Sequence, residues 1–425
     1  MSEAKEGEGA ARPWRIAAWC FYDWANSAYP TVIGTFVFAT YFTQGVAPDP
    51  VTGASRWGVA MAISGLLVGL LSPVFGAIAD RTGGQRTWLA GFTVLAAIAA
   101  AALWTVEPDP AFMLRGAVLV VLGTLAFELG TVFYNAMLPG VAPARMLGRV
   151  SGWGWGLGYI GGLFCLVACL WLIQARPPPF GLPETNAAAV RATSILVALW
   201  YAGFALPLLL VVPGTPRTGT RIGEAVRDGI GAILRVLPDL RADKQVLRFL
   251  IARLLYAEGL NTLFAFGAIY AAGSFDMGTE EVIRLGIAIN VTAGLGAALF
   301  SFADDRFGSK TVVMVSVLSL MVVGAAMLVV TTKGQFWALA MPLGIFFGPA
   351  QAASRTLMGR IAPPEKVGEY FGLFALTGRA VSFVGPSVLA AATALFASQR
   401  AGMATILFFL GGGAAILATV QETRP

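Results

Sequence analysis

Histidine is absent from all 425 residues, cysteine occurs only three times, and charged residues make up just 12% of the chain. Without imidazole there is no ready general base, no histidine metal ligand, and no side chain that ordinarily titrates near neutrality. A proton taken up near neutral pH must therefore reside on a carboxylate whose environment raises its affinity. No H-E-x-x-H and no P-loop occur, which argues against a membrane-embedded hydrolase or a nucleotide-driven machine. No cofactor or metal-ligand set is expected. Cys20, Cys165 and Cys169 all fall in apolar runs, where they read as packing residues rather than a disulfide framework.

Apolar residues fill the place of the missing charge: 57% of the chain is hydrophobic and the mean hydropathy is +0.74. Stretches of about 18 to 25 residues are long enough to cross a bilayer as helices. Twelve are predicted, centred near Ala28, Leu67, Ala97, Val121, Tyr159, Trp200, Phe264, Thr292, Met321, Leu343, Val384 and Phe408. Glycine and proline within them do not argue against helices, because neighbouring spans can re-satisfy the backbone groups they free. The first run, from about Ala17 to Phe42, is too long for a signal-peptide core and no small-residue cleavage site follows it, so an uncleaved first helix is expected.

Most lysines and arginines fall in the termini and even-numbered loops, whereas Arg56, Arg115, Arg176, Arg191, Arg284, Lys333 and Arg400 fall in odd-numbered ones. This asymmetry predicts that both termini face the cytoplasm, in a plasma-membrane protein. The net charge of +6 belongs to the same asymmetry and to the anionic inner leaflet, and gives no reason to invoke nucleic acid. The polar interval from Pro213 to Arg248 divides the spans six and six. It predicts bundles over 1–212 and 249–425 joined by a linker over 213–248. Ile222, Val226, Ile230, Ile233 and Leu237 fall near helical spacing there, which fits an interfacial amphipathic helix or, given Gly229 and Gly231, a plain tether.

Internal repetition decides the architecture. GAIADRTGG at 76–84 and SFADDRFGS at 301–309 align at a spacing of 225 residues; VAP with Gly148, Gly152 and Gly158 recurs as IAP with Gly368, Gly372 and Gly378 at a spacing of 220. Two copies running in the same direction through a membrane-type sequence point to two related helical bundles. Asp80 closes the second span, where its charge opposes the helix's own partial negative end and gains by meeting a cation or another helix's N-terminus. An ordinary solvated turn is the plainer alternative.

These loops also carry a resemblance. Gly76, Asp80, Arg81 and Gly83 are similar to the signature loop of the major facilitator superfamily, with a partial second copy at Asp305, Arg306, Gly308 and Lys310. YDWANSAY (22–29), FYNAMLP (133–139), GYIGG (158–162), YAEGLNT (256–262) and QAASR (351–355) resemble the branch of autophagy-related vacuolar effluxers, whose fungal members export amino acids from the vacuole. The chain departs from the pattern where Gly84 and Gln85 precede Arg86, and where Glu258 stands in place of an aspartate. The resemblance implies an all-α polytopic membrane protein with twelve transmembrane helices in two six-helix bundles. It also implies that Asp80 meets the start of the eleventh span near Gly368, with loop arginines such as Arg149, to hold the cytoplasmic side shut.

Ionisable residues inside spans carry the most functional information, because each costs roughly 2.5–3.5 kcal/mol on insertion scales unless it faces a cavity or a partner. Asp23, Glu128, Glu258 and Arg379 stand out. Asp23, Asn26, Ser27, Pro30 and Gly34 share one helical face; Thr124, Glu128, Thr131 and Asn135 share another; Glu258, Asn261 and Thr262 a third. In the resembling fold the first, fourth, seventh and tenth spans line a central cavity, which implies one chamber for the three acids. Arg379 offers a fork for a carboxylate and the acids could hold an ammonium group or a proton; an internal ion pair between Arg379 and an acid is the structural alternative. Gly152, Gly154, Gly156, Gly158, Gly161 and Gly162 begin a span, so they predict close helix packing rather than a nucleotide loop. Trp153 and Trp155 predict an interfacial belt. The expected function is alternating-access transport of a small solute, an amino acid or similar zwitterion, with proton coupling open to the carboxylates. Drug or metabolite efflux stays open as another transport reading, and a membrane sensor or lipid-moving protein as a non-transport one. The partners expected are the bilayer and the solute, and the sequence fixes no oligomeric state.

Overall fold

In hydrocarbon every backbone polar group must be paired within its own segment, so apolar runs of this length wind into helices. The computed structural model of the protein describes residues 12–216, 218, 220, 224, 243–379 and 381–422, and among them there is no strand. After α1 (Pro13–Asn26) come α2 (Pro50–Thr82), α3 (Gln85–Ala102), α4 (Met113–Ala136), α5 (Leu147–Gln174) and α6 (Ala188–Val211). The second half holds α7 (Lys244–Phe275), α8 (Thr279–Phe307), α9 (Ser309–Val329), α10 (Lys333–Ile361), α11 (Val367–Arg379), α12 (Val384–Phe396) and α13 (Gln399–Ala418). Counting α11 and α12 as one, 11 helical spans among the described residues are long and apolar enough to cross a bilayer.

The first predicted span is absent from that set because it does not run as one α-helix. Beyond α1 it continues as π-helical turns over Tyr29–Phe36 and Phe42–Val46, with a short α-turn, Phe38–Tyr41, between them. Pro30 is one cause, since it has no N–H to give the preceding turn and its ring crowds the carbonyl there. The eleventh span is likewise broken by a turn over residues 381–383, ahead of Val384. Pro386 cannot donate to Ser382, and the Val384 N–H turns back to the Val381 carbonyl at 2.8 Å.

Two apolar cores form, one from Ile16 to Val212, the other from Val246 to Val420 with Val132 and Ala136 of α4 joining it. In the first, Trp19 and Tyr22 stack on Tyr134 with ring centroids 4.3 and 4.8 Å apart. The Tyr22 hydroxyl also bonds Thr93 (2.8 Å) and Tyr201 (2.9 Å), tying α1 to α3, α4 and α6. Leu114, Leu395 and Phe408 are among many large apolar side chains left facing outward, the surface a bilayer requires. The predicted linker helix at Ile222, Val226, Ile230, Ile233 and Leu237 lies outside the described residues.

The halves meet where side chains are smallest. Gly372 of α11 lies on the Ser72 carbonyl and Pro73 of α2, and Gly152 of α5 lies on Ala297 and Ser301 of α8. Gly154, Gly158 and Gly161 let α1 approach the opposite face of α5. Trp155 is not in an interfacial belt: it faces the interior, its ring centroid 5.7 Å from the Arg355 guanidinium, because the glycines flanking it bring α5 into the middle of the protein. A Cβ at position 372 would stand 2.6 Å from the Pro73 Cα, so Gly372→Val must push α11 off α2. A loss of about 1–3 kcal/mol is expected, measured as a lower unfolding temperature of the purified protein.

Candidate functional site

At the end where the chain's described termini lie, the repeated loops meet crosswise. The Gly368 and Glu369 N–H groups at the start of α11 donate to the two oxygens of Asp80, each at 2.8 Å. The Gly148 and Arg149 N–H groups at the start of α5 donate to Asp305 at 2.8 and 3.3 Å, and Arg149 Nε adds a bond of 2.6 Å. Each aspartate thus ends one helix and caps a helix of the other half, where unpaired N–H groups and the dipole favour negative charge. Gly83 and Gly308 supply the turns behind the aspartates, with φ of 68° and 94°. Gly76 is packed on the Gly368 carbonyl, so a side chain there would prevent Asp80 from reaching α11.

The sequence implied Arg149 as a partner of Asp80; it pairs instead with Asp305, because α5 begins against α8 and not against α2. Arg81 offers its carbonyl to the Thr218 hydroxyl, and the Arg306 guanidinium stands 5.5 Å from the Phe307 ring centroid. Behind Asp305, Arg360 of α10 joins Asp304 (3.0 Å), Asp305 (3.6 Å) and Glu422 (2.8 Å). Glu422, from the end of the chain, also caps α9 through Ser309 and Lys310 N–H at 3.0 and 2.9 Å.

Deeper in the protein two further ion pairs cross between the halves. Asp23 of α1 accepts from Arg355 of α10 at 2.9 Å, with both side chains buried. Arg355 also donates to the Ser151 hydroxyl (2.9 Å), the Ser151 carbonyl (2.6 Å) and Asn135 Oδ1 (3.4 Å). Its guanidinium lies 4.8 Å from the Trp19 ring and 5.5 Å from that of Tyr134, a cage that holds a cation over aromatic faces. Glu128 of α4 meets Arg379 of α11 at 2.5 Å, the internal ion pair of the structural alternative.

Glu258 stands apart from both pairs. It is 1% exposed; one oxygen accepts from the Gly385 N–H at the start of α12 at 2.8 Å, while Oε1 and the neighbouring Thr262 hydroxyl have no partner among the described residues. Asn261 donates to the Gly378 carbonyl at 3.4 Å, and Asn26 is buried, taking a 3.5 Å bond from Ser27. Asp23 and Asn135 therefore share one cation, Glu128 and Arg379 form a second unit, and Glu258 with Asn261 lines the interruption of the eleventh span.

Sequence reasoning missed Arg355 as an interior charge and gave Arg253, which it placed within a span, no role. Arg355 falls near the end of a span and reads as a loop residue; the signal was its place in QAASR, six residues before the helix ends at Ile361. Arg253, five residues before Glu258, was legible as an intramembrane charge but not as part of a site. Its Nη1 donates to the Phe374 carbonyl (2.6 Å) and the Thr377 hydroxyl (2.8 Å).

Two outcomes follow from this geometry. Asp23→Asn leaves Arg355 buried without its carboxylate and is expected to cost about 3–5 kcal/mol, much of it recovered in Asp23→Asn/Arg355→Gln; denaturation of the three proteins tests this. Asp80→Ala or Asp305→Ala removes charge-assisted bonds worth about 1.5–3 kcal/mol each. Either should speed alkylation of a cysteine placed at Ser151, buried behind the clasps, by about tenfold or more.

The comparisons agree with this architecture. Residues 46–425 match the family described as vacuole effluxer Atg22 like. An uncharacterised MFS-type transporter of Bacillus subtilis, YxiO, is 27% identical over 95% of this chain and 94% of its own length. Autophagy-related protein 22-1 of Neosartorya fischeri is 25% identical over 65% of this chain, which spans 49% of that longer protein. Among solved structures, the human organic anion transporter MFSD10 aligns with a TM-score of 0.76 at 13% identity, over 96% of this chain and 100% of that one. The proton:xylose symporter XylE aligns at 0.71 with 15% identity, over 97% and 96%. Such distant likeness shows the fold, and the family match shows the lineage: the chain belongs to the Atg22-like effluxer family, integral membrane transporters of the major facilitator fold and not enzymes.

Proposed function

We propose that this protein moves a small zwitterion, an amino acid or close analogue, by alternating access, coupled to protons. One observation supports this reading above the rest: the two clasps and the two deep ion pairs all join one half to the other. Contacts of that kind are what a rocking motion of two bundles about a midplane site must break and remake. The fixed charges around the junction suit a solute that carries charge of both signs better than a neutral drug. Glu258 is the candidate proton carrier, since its free oxygen is buried and histidine is absent. The excess of basic residues at the clasp end supports a cytoplasmic placement of both termini, and we assign the protein to the plasma membrane.

A second reading has one observation in its favour. An apolar cavity of about 400 Å³ lies mostly in the second half and reaches Thr35 and Phe36 of the first, lined by Phe264, Leu285, Met327, Phe347 and Leu410, and its walls suit a bulky apolar metabolite or drug. Uptake of a labelled amino-acid panel into proteoliposomes, with and without an imposed proton gradient, separates the two. Gradient-stimulated uptake of a few amino acids is the expected result, with the stimulation lost in Glu258→Gln. Uptake of apolar dyes and of no amino acid would replace this reading with the second.

A further inference from the structure

We infer that Arg253 on α7 is a carboxylate-binding residue of the central site, the point at which the solute's anionic group docks. This deepens the transport reading above and rests on it for the identity of the solute as cargo. Three arginines of membrane-spanning helices lie at the junction of the halves, and two are occupied: the buried Arg355 by Asp23 at 2.9 Å and the more exposed Arg379 by Glu128 at 2.5 Å. Arg253 has no carboxylate within ion-pair distance among the described residues. It lies near enough to Arg379 and Glu128 for both charges to act on it, so that corner of the site carries two positive charges against one negative. A ligand with one negative charge balances it.

The guanidinium is also presented as a ligand-binding fork. Nη1 is anchored on the Phe374 carbonyl and the Thr377 hydroxyl, and the plane lies over the Phe374 ring at 3.4 Å. Nε and Nη2 have no acceptor among the described residues, and they are not among the buried polar atoms that lack one. Gly378 packs beside the guanidinium, where a Cβ would stand 3.0 Å from Nη2 and 3.1 Å from Nη1, so that only a glycine leaves Nη2 uncrowded. A planar group held by stacking, with two donors left open, matches the two oxygens of a carboxylate. Capping α11 needs only one donor and no charge, and an unpaired cation in the membrane interior is costly to keep for that purpose alone.

The test is thermal unfolding of the full chain in lipid nanodiscs, followed by intrinsic fluorescence and titrated with glycine, leucine, acetate, phosphate, glycinamide and leucinamide. Wild type, Arg253→Gln and Arg253→Lys are compared. The expected result is stabilisation of the wild type by carboxylates and not by the matched amides, weakened about tenfold or more in Arg253→Gln and partly kept in Arg253→Lys. Acetate acting where the amino acids do not would uphold Arg253 and remove the zwitterion. Amides acting as well as carboxylates, with the same response in Arg253→Gln, would overturn the role of Arg253 and leave transport standing. So would a lower unfolding temperature in Arg253→Gln with an unchanged carboxylate response, the mark of a purely structural cap. Response to phosphate alone, or to no anion, overturns the proposal. Should Arg253→Gln fail to fold, Arg253→Lys decides, because an unchanged affinity without the fork contradicts it.

Discussion

Two aspartates placed at the wrong end of their own helices organise this protein. Asp80 and Asp305 each close a helix, where the dipole repels them, and each recovers that loss on the first N–H groups of a helix from the other half. The exchange is reciprocal: the first copy of the loop caps the second copy of the IAP segment, and the second copy of the loop caps the first. Close approach of the backbones is a condition of this contact. The glycines at 76, 152, 368 and 372 satisfy it, since each abuts backbone, a short side chain or the aspartate itself.

The two clasps are chemically unequal despite their common origin. Arg149 follows the capped glycine of α5 and reinforces Asp305, whereas the equivalent residue on α11 is Glu369, an acid beside Asp80. Asp304, which aligns with Ala79, brings a second carboxylate to the Asp305 side, and Arg360 and Glu422 gather around it. The result is a charge network on the α5–α8 seam; on the α2–α11 seam the Asp80 carboxylate accepts from two backbone N–H groups. The latter seam also contains α11, whose span is broken by a turn ahead of Val384.

Within the membrane the charges are arranged by the same economy. A buried carboxylate or guanidinium alone is costly, and pairing it across the halves stabilises one relative position of the bundles. Asp23 with Arg355 and Glu128 with Arg379 do this, and Arg355 is further held by aromatic faces and the Ser151 carbonyl. Arg253 and Glu258 remain, opposite in sign and on one helix, each beside a different part of the interrupted eleventh span. The proposed roles of carboxylate docking and proton uptake draw on that residual pair.

How much was legible from the chain follows from the range of each interaction. Helices, their number and the twofold repetition depend on local apolar length and on spacing, so the runs and the loops at 76–84 and 301–309 displayed them directly. Close packing at the α5 glycines was legible for the same reason, because periodicity is local. Pairing is not. Nothing in the spacing of Asp23 and Arg355, 332 residues apart, or of Arg149 and Asp305, selects one partner over another, since any buried acid attracts any buried base. The interruptions at Pro30 and before Pro386 were visible as residues but not as breaks, because prolines within other spans, such as Pro73 and Pro349, leave their helices continuous. The sequence by itself determined a twelve-span, twice-built membrane protein with a few interior charges. Which charges neutralise one another, and which are left free to meet a solute, only the packing of distant helices decided, because electrostatic partners are set by separation in space.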